Sequence, residues 1–559
     1  MMRSRMNISI LLCCLFFGIS VLCCSVNSAN AGAFAYTPPS RHSDRAMLKA
    51  AVDSYIAAQE SGDVSKMSLA PQATFTENMS RTTKDKGLWN TALPIAFHRS
   101  LYDVARCKTF TEVIVTEGGH PYVIGTRLTV DNGKITAIDS LVTDEGDWLF
   151  NAENYLKYSK AEDWPVLPLD DRISRQDMID AANQYFDFVF LDKGIRPPWG
   201  GPSARLEGGM YTDPNNENKD TAQVPAPLAE MFVNNRTYVV DEEIGAVNVF
   251  CRFGDYQKGM PDSHTFVFAK GKYRWIHTLS VNLESKPVEI PEFKPKPDNK
   301  CDREMLEAAV KSYIAAQESG DISKMSLAPD AKFMQNMSEI AKDKGLWNTA
   351  LPIALHRSIY DVVRGKTFTE VIITEGGHPY VLGTRLTVDK GKIIEIDSLM
   401  SDKKDWLFNA EDYLKYSKAE DWPVLKLDER VSRQDLIDAG NQYFDFVFMD
   451  QWIKPPWGYP CARLEGGMYT NPNNEHDGKD TCQIPAPLGE LPITDRTFVV
   501  DEQMGTVNVF CRFGGGMPDS HTFRLVNGRY RWIHTISVNV GGGPMVQPEK
   551  LPAFGSGSN

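Results

Sequence analysis

A β-hairpin near residue 270 carries the side chains best suited to chemistry. Asp262 and His264 lie before its two-residue turn, Lys270-Gly271, and His277 lies after it. Counting outward from the turn places His264 opposite His277 in a non-hydrogen-bonded pair, with Cβ atoms about 4.5–5.5 Å apart. The same arrangement recurs later in the chain, around Asn527-Gly528, at Asp519, His521 and His534. The sequence therefore predicts, in two places, two imidazoles and one carboxylate on the same face of a sheet.

Aromatic side chains accompany these polar groups. Residues two apart in a strand share a face, so each predicted face also carries three aromatic residues: Phe266, Tyr273 and Trp275 in the first hairpin, and Phe523, Tyr530 and Trp532 in the second. An apolar wall with a few convergent polar groups is the usual lining of a small-molecule pocket. These six residues are the predicted substrate-binding wall.

Three interpretations of this constellation are open. Imidazole titrates near neutral pH and a carboxylate can orient it, which favours acid–base catalysis by the Asp and the two His of each hairpin. The same groups could be structural, or could bind a ligand without converting it. Two histidines and one carboxylate could also hold a metal ion, although no further strong ligand motif stands nearby. We expect neither a metal nor a cofactor.

A second charged motif precedes each hairpin. Arg205-Leu206-Glu207-Gly208-Gly209 recurs at residues 463–467. In an extended segment, the arginine and the glutamate point to the same face. The favoured interpretation is an ion pair that closes the mouth of the pocket. The alternative is a second acid, so Glu207 and Glu465 are also candidate substrate-binding residues.

The chain repeats itself at an offset of 258 residues, and we call the two halves copy one and copy two. Residues 54–63 recur as 312–321, and residues 87–96 recur as 345–354. Residues 285–300, between the copies, are rich in Pro and Lys and predict a semi-extended linker. Because the period is too long for a solenoid, each copy should contain complete domains.

Each copy divides into two modules, A and B, with a helix first and long antiparallel strands after it. In module A of copy one, residues 47–56 have apolar side chains at helical spacing, and residues 122–142 form a hairpin around Asn132-Gly133. In module B, Ser174 and Asp177 indicate an N-cap before a helix at 178–190. We predict four α+β modules, at residues 46–168, 172–284, 304–426 and 430–541.

Two further expectations concern module A of copy one. Residues 93–104, which include His98, are expected to be helical. Counting from the Asn132-Gly133 turn places Asp139 opposite Thr126. These residues are interpreted as structural, so that module A supports module B.

Module B resembles a known family. The residues that carry the resemblance lie in copy two, at 456–467 (PWGYPCARLEGG), 481–482 (TC) and 518–521 (PDSH). They are similar to a little-characterised family of secreted, mostly fungal SnoaL-like proteins in the nuclear transport factor 2/ketosteroid isomerase superfamily. The resemblance implies cone-shaped modules, with helices packed on a curved antiparallel sheet. In that superfamily a carboxylate or an Asp–His pair inside the cone often moves protons.

Together, the hairpins and the resemblance predict a cofactor-independent enzyme that acts on a small, partly apolar molecule. Isomerase, cyclase, dehydratase and lyase chemistry are the expected types, and a non-catalytic small-ligand-binding protein is the alternative, because the fold alone does not decide the function. The net charge of −13 argues against a nucleic-acid partner. We expect either a monomer with internal pseudo-dimeric contacts or a homodimer.

The N-terminus predicts export. Arg3 and Arg5, an apolar core at residues 8–24 and the small-x-small sequence at 29–31 are typical of a signal peptide over residues 1–31. No later run is long enough to span a membrane. The mature protein is therefore expected to be extracellular, with no membrane association after cleavage, and to end in a tail at residues 542–559.

The cysteines predict one disulfide bond. Cys461 and Cys482 occur only in copy two, and Ser203 and Ala222 take their places in copy one. Both members of the pair are missing together, as expected for disulfide partners. We predict a bond between Cys461 and Cys482 that makes this loop more rigid than its counterpart in copy one. Cys251 and Cys511, at matching positions, are expected to be buried free thiols.

Overall fold

The computed structural model describes residues 44–191, 194–215, 217–224, 231–283, 301–450, 452–472, 482–484 and 491–540. The predicted signal peptide (1–31), linker (285–300) and tail (542–559) lie outside the described residues. No helix within the described ranges is long and apolar enough to cross a membrane.

Copy one forms two six-stranded sheets with their helices. The elements of module A are α1 (Arg45–Ser61), β1 (Leu69–Glu77), β2 (Ser80–Thr82), β3 (Phe97–Asp103), β4 (Lys108–Val115), β5 (Tyr122–Asp131), β6 (Lys134–Thr143) and α2 (Ala152–Ala161). Those of module B are α3 (Arg175–Phe190), β7 (Ala204–Glu207), β8 (Met210–Tyr211), β9 (Val233–Asp241), β10 (Ala246–Phe253), β11 (Met260–Ala269) and β12 (Lys272–Ser280).

Copy two repeats this order. The elements of its module A are α4 (Arg303–Ser319), β13 (Leu327–Gln335), β14 (Ser338–Glu339), β15 (Leu355–Asp361), β16 (Lys366–Ile373), β17 (Tyr380–Asp389), β18 (Lys392–Ser401) and α5 (Ala410–Ala419). Those of its module B are α6 (Arg433–Phe448), β19 (Ala462–Glu465), β20 (Met468–Tyr469), β21 (Ile493–Asp501), β22 (Thr506–Phe513), β23 (Met517–Val526) and β24 (Arg529–Ser537).

All four sheets have the same topology. In module B of copy one the order is β8-β7-β12-β11-β10-β9, and the other three sheets follow the same order. The long strands pair antiparallel, whereas β7 pairs parallel with β12. Each sheet is therefore mixed, with helices packed against it, and the predicted α+β arrangement of cone-like modules is confirmed.

Local signals define the ends of the helices. The side chain of Asp44 caps α1 by accepting from the backbone N–H of Met47, and α1 ends at Gly62, whose φ of +67° is accessible to glycine at little cost. Ser174 and Asp177 form the predicted capping box at the start of α3. Both predicted helices are confirmed, but residues 93–104 are not helical: β3 occupies 97–103 and pairs with β4.

A β-bulge follows the turn in each of the four long hairpins. The register shifts between Thr129 and Val130 in module A of copy one, and at the corresponding places in the other modules. A bulge inserts one residue in one strand, so side chains beyond it change partners. Asp139 consequently pairs with Arg127 and not with Thr126. The prediction for that pair was wrong for this reason.

The sheet of module B is buried on both faces. One face packs against α3 through a core that includes Met178, Phe186 and Phe266. The other face packs against the sheet of module A, where Phe110 meets Phe250. Burial on both faces explains why β10 is apolar along nearly its whole length.

The two copies contact each other through α3 and α6. The amide of Gln184 donates to Asp438 at 3.0 Å, and the amide of Gln442 donates to Asp180 at 2.9 Å. Each aspartate also accepts, at 2.7 Å, from a glutamine of its own helix: Gln176 for Asp180 and Gln434 for Asp438. The contact is therefore reciprocal, as expected for internal pseudo-dimeric packing. The number of chains in the assembly stays a prediction.

Candidate functional site

The strand register separates the two histidines of each hairpin. His264 pairs with Thr278, and His277 pairs with Thr265. The bulge near the turn inserts one residue in β12, and a shift of one residue moves every later side chain to the opposite face. The predicted face-to-face pairing is therefore wrong, and the same shift makes it wrong for the corresponding histidines of copy two, His521 and His534.

The bulge also divides the predicted aromatic wall. Tyr273 stays on the face of His264, and its hydroxyl donates to the backbone carbonyl of Ala181 in α3 at 2.6 Å. Trp275 lies on the other face with His277, against module A. The inner face thus keeps Asp262, His264, Phe266 and Tyr273 in copy one, and Asp519, His521, Phe523 and Tyr530 in copy two, whereas Trp275, His277, Trp532 and His534 face module A.

This separation removes the metal-site alternative. Two histidines on opposite faces of a sheet cannot share one ion with Asp262. Within the described ranges, no group of three or more His, Cys, Asp or Glu side chains is arranged to hold a metal.

On the inner face, His264 is held through one nitrogen only. Its Nδ1 lies 2.5 Å from Oδ1 of Asp262, and Oδ2 of Asp262 accepts from the hydroxyl of Ser280 at 2.5 Å. Its Nε2 makes no hydrogen bond to any residue that the structure describes. This nitrogen is not fully enclosed by the surrounding side chains. A ring fixed through Nδ1 presents Nε2 to whatever lies beside it.

Four aromatic rings surround this imidazole. Their centroids lie 4.9–5.9 Å from that of His264, and they belong to Tyr185, Phe186, Phe253 and Phe266. The histidine side chain nevertheless keeps 6% of its exposure. The free nitrogen therefore lies in an apolar, nearly closed environment.

Copy two reproduces this arrangement. Nδ1 of His521 lies 2.5 Å from Asp519, which accepts from Ser537 at 2.5 Å. The surrounding rings are those of Tyr443, Phe444, Phe513 and Phe523. The relay of serine, aspartate and histidine is thus present in both copies.

The charged motif near the inner face forms the expected ion pair. Arg205 Nε lies 2.7 Å from Glu207 Oε1, and in copy two Arg463 lies 3.3 Å from Glu465. Burial raises the pKa of the Tyr443 phenol to about 12, and Arg463 donates to its hydroxyl at 3.3 Å. The tyrosine is therefore a neutral hydroxyl near the inner histidine. Whether either glutamate acts as an acid stays a prediction.

On the outer face, His277 is held through both nitrogens. Nδ1 lies 3.1 Å from Glu112, and Nε2 lies 2.8 Å from Glu162, both from module A. Burial lowers the pKa of His277, but the two carboxylates outweigh it and raise the pKa to about 9. The side chain is 1% exposed. An imidazolium between two carboxylates thus joins module A to module B.

The outer cluster is also repeated. In copy two, His534 lies 2.9 Å from Glu370 and 2.7 Å from Glu420, and its pKa is raised to about 9 by the same opposing effects. Burial raises the pKa of Glu370, but His534 and Arg357 outweigh it and lower the pKa to about 2.

Sequence reasoning missed the glutamates of the outer clusters and the inner serines. Glu112 stands in β4, which is otherwise almost entirely buried. A glutamate in a strand otherwise rich in β-branched and aromatic residues, repeated at Glu370, was the available signal. No local signal identifies Glu162 or Ser280, because only the tertiary register brings them to the histidines.

Different contacts hold the loop that ends at Cys482 in copy two and its counterpart, which ends at Ala222 in copy one. Cys461 and Cys482 form the predicted disulfide bond, with Cα atoms 5.2 Å apart. In copy one the Ser203 hydroxyl instead hydrogen-bonds to the carboxylate of Asp220. The remaining described cysteines are buried free thiols, as predicted for Cys251 and Cys511: Cys107, Cys251, Cys301 and Cys511. The greater rigidity of the copy-two loop stays a prediction.

Comparison with known proteins finds one family profile that is similar to module B in both copies. The profile of a domain of unknown function (DUF8021) matches residues 171–280 and 429–537. These two matches show the tandem duplication of module B. No curated protein matches the chain.

Two solved structures have limited similarity to the chain. One is an NTF-2-like protein of unknown function from Burkholderia xenovorans LB400, at 18% identity, a TM-score of 0.15, and coverage of 18% of this chain and 84% of that one. The other is the YpeB C-terminal domain of Bacillus megaterium, at 8% identity, a TM-score of 0.11, and coverage of 55% and 91%.

Proposed function

We propose that each module B binds a small, partly apolar molecule in its aromatic interior and moves a proton through Nε2 of His264 or His521. The observation that carries this proposal is the one-sided anchoring of the imidazole. Nδ1 is fixed by Asp262, which is itself fixed by Ser280, and Nε2 has no partner among the described residues. The same anchoring in copy two gives the protein two such sites.

The chemistry follows from this anchoring. A carboxylate at Nδ1 holds the ring in one orientation and leaves Nε2 to exchange a proton with the ligand. Nε2 can then take a proton from an activated C–H or O–H group of the ligand and return it to a neighbouring atom. In this scheme His264 transfers the proton, and Asp262 and Ser280 position it. Isomerisation, dehydration, cyclisation and elimination all need such a step.

His277 and His534 have a different role in this proposal. Both nitrogens of each ring already contact carboxylates, so neither has a lone pair or a free donor for a ligand. We assign them to the clamp between modules A and B. This assignment replaces the catalytic role expected from the sequence.

We also propose that module B is related to SnoaL-like proteins and that the protein is extracellular. The N-terminal signal-like segment and the Cys461–Cys482 disulfide fit an oxidising compartment. The non-catalytic alternative is a secreted binding protein in which the inner histidines contribute affinity alone.

Deuterium transfer tests the proton-transfer role without knowledge of the substrate. The full-length mature protein is incubated in D2O with a small-molecule extract of its source, and new products or deuterium-labelled molecules are sought by mass spectrometry. His264→Gln with His521→Gln should abolish the signal. The matched control, His120→Gln with His378→Gln, changes exposed histidines and should leave it intact.

The outcomes separate the two functions. Equal labelling by the double variant and the wild type would contradict the role of the inner histidines. A ligand that co-purifies with the wild type, seen by native mass spectrometry, without any labelling or product, would favour the binding protein.

A further inference from the structure

A cavity of about 310 Å³ lies between the two copies. Its walls come from strands β9 and β21, from the ends of α3 and α6, and from Arg106 and Lys108 of module A in copy one. Neither inner histidine lines it. Cavities of about 300–1,000 Å³ are the usual size of small-molecule sites, so this one suits a small ligand.

The lining of this cavity is cationic. Four positively charged side chains line it, against two carboxylates, those of Asp187 and Asp450: the cations are Arg106, Lys108, Arg236 and Arg496. The chain as a whole has a net charge of −13. The lining therefore has two more cations than carboxylates, in a chain that is acidic overall, which favours an anionic occupant.

Neighbouring side chains hold the guanidinium groups in place. Arg236 lies 2.7 Å from Asp187, and Arg496 lies 2.7 Å from Asp445. Arg106 donates to the backbone carbonyl of Met449 at 2.8 Å, which ties the two copies together at the cavity. Groups fixed in advance lose little conformational entropy when a ligand binds.

Two enclosed polar atoms of the lining residues lack partners among the described residues. They are Nε of Arg496, a donor, and Oδ1 of Asn235, an acceptor. The amide nitrogen of Asn235 donates to the carbonyl of Tyr256 at 2.9 Å, which identifies its oxygen as the free atom. Unsatisfied buried groups cost free energy, so a ligand that satisfies both gains it. Apolar side chains such as Phe232, Phe448 and Leu491 complete the walls.

We infer that this cavity binds a small organic acid with an apolar body and a hydrogen-bond donor. The acid group meets the cationic wall, and the donor meets Asn235. Both copies supply the walls, so one copy alone lacks the site. This inference is independent of the proton-transfer sites, which lie inside each module B.

Calorimetry on the full-length mature protein tests the inference with two matched probes. 4-Hydroxyphenylacetate carries the acid and the donor, and 4-hydroxyphenylacetamide replaces the acid with a neutral amide. The acid should bind at least tenfold more tightly. Lys108→Met should weaken its binding at least fivefold, and Lys366→Met, the same change in copy two outside this cavity, should leave it unchanged.

A second variant guards against misfolding. Phe232 is 38% exposed, so Phe232→Trp should preserve the fold while it narrows the cavity, and the acid should bind more weakly. Equal affinity for the acid and the amide, no binding of the acid, or an equal loss in the Lys108 and Lys366 variants would overturn the inference.

Discussion

His264 and His277 stand on one hairpin and differ in how their rings are held. His264 contacts one carboxylate, from its own strand, and keeps Nε2 free. His277 contacts two carboxylates from another module and keeps no nitrogen free. Both are buried, and both recur in copy two, so neither burial nor repetition separates them. The two histidines differ in the number of ring nitrogens that have a partner. This difference distinguishes the candidate site at His264 from the clamp at His277.

The clamp is balanced in charge. His277 and Arg99 face Glu112 and Glu162, two cations against two carboxylates. A buried charge is tolerated when it is paired, and removal of one member leaves the others uncompensated. The inner histidine makes no ion pair with another module, so substitution of the two histidines should have very different effects on stability.

The largest effect is expected at the clamp. His277→Gln leaves two buried glutamates facing each other, which should destabilise the protein by about 3–5 kcal/mol. His264→Gln removes one hydrogen bond to Asp262 and should cost about 1–3 kcal/mol. Urea unfolding of both variants measures the difference. An equal loss in the two variants would remove the distinction between site and clamp.

The two copies can be compared at the disulfide. Cys461→Ser with Cys482→Ser should destabilise copy two by about 3 kcal/mol, because the bond closes a loop with a sequence separation of 21. Hydrogen exchange should then increase in the loop, to the level of its counterpart in copy one. Unchanged exchange would show that the disulfide does not make the loop of copy two more rigid.

The contact between the copies should weaken as pH rises. Burial raises the pKa of Asp180 to about 7. Burial, and then the neighbouring charge of Asp180, raise the pKa of Asp438. A carboxyl with a raised pKa contributes stability that is complete below about pH 4 and is lost as pH rises through about 7. Asp180→Asn with Asp438→Asn should remove this loss and stabilise the protein by roughly 2 kcal/mol at pH 8. Thermal melts from pH 4 to 8 measure it.

The clamp should cause a second decline in stability at higher pH. The pKa of His277 is raised to about 9, so its contribution is complete below about pH 6.5 and is lost as pH rises through about 9. Asp180→Asn with Asp438→Asn should therefore reduce the decline in melting temperature between pH 4 and 7 and leave the decline above pH 8. If the variant also abolished the upper decline, the two clusters would not be separate.

The smallest effect is expected behind the inner site. Ser280→Ala removes one hydrogen bond to Asp262 and should cost about 1 kcal/mol. Labelling in D2O should slow while ligand affinity stays the same, because the serine positions the relay and does not touch the ligand. Loss of affinity with unchanged labelling would exclude a positioning role.

Local sequence signals predicted the elements well. The repeat, the N-caps, the two-residue turns and the Cys461–Cys482 bond all follow from residues close in sequence or from comparison of the copies. The face of the sheet on which each side chain lies does not follow from such local signals. The extra residue of the bulge is Thr136 or Ile394 in the A modules and Arg274 or Arg531 in the B modules. None of these residue types is specific to a bulge, so the sequence does not predict the shift that separates His264 from His277.

The partners of His277 could not be predicted for another reason. Glu112 and Glu162 lie 165 and 115 residues away in the chain, and only the docking of one sheet on another brings them to the ring. Local patterns determine elements, whereas tertiary contacts determine which nitrogen of a histidine stays free.

Chemical modification distinguishes a histidine with a free ring nitrogen from one with both nitrogens engaged. Diethyl pyrocarbonate acylates imidazole nitrogens that carry a free lone pair, and peptide mapping by mass spectrometry gives the rate at each site, with the more accessible His120 and His378 as references. His264 and His521 should react at least tenfold faster than His277 and His534. Equal rates at the four buried histidines, or faster reaction at His277 and His534, would contradict it.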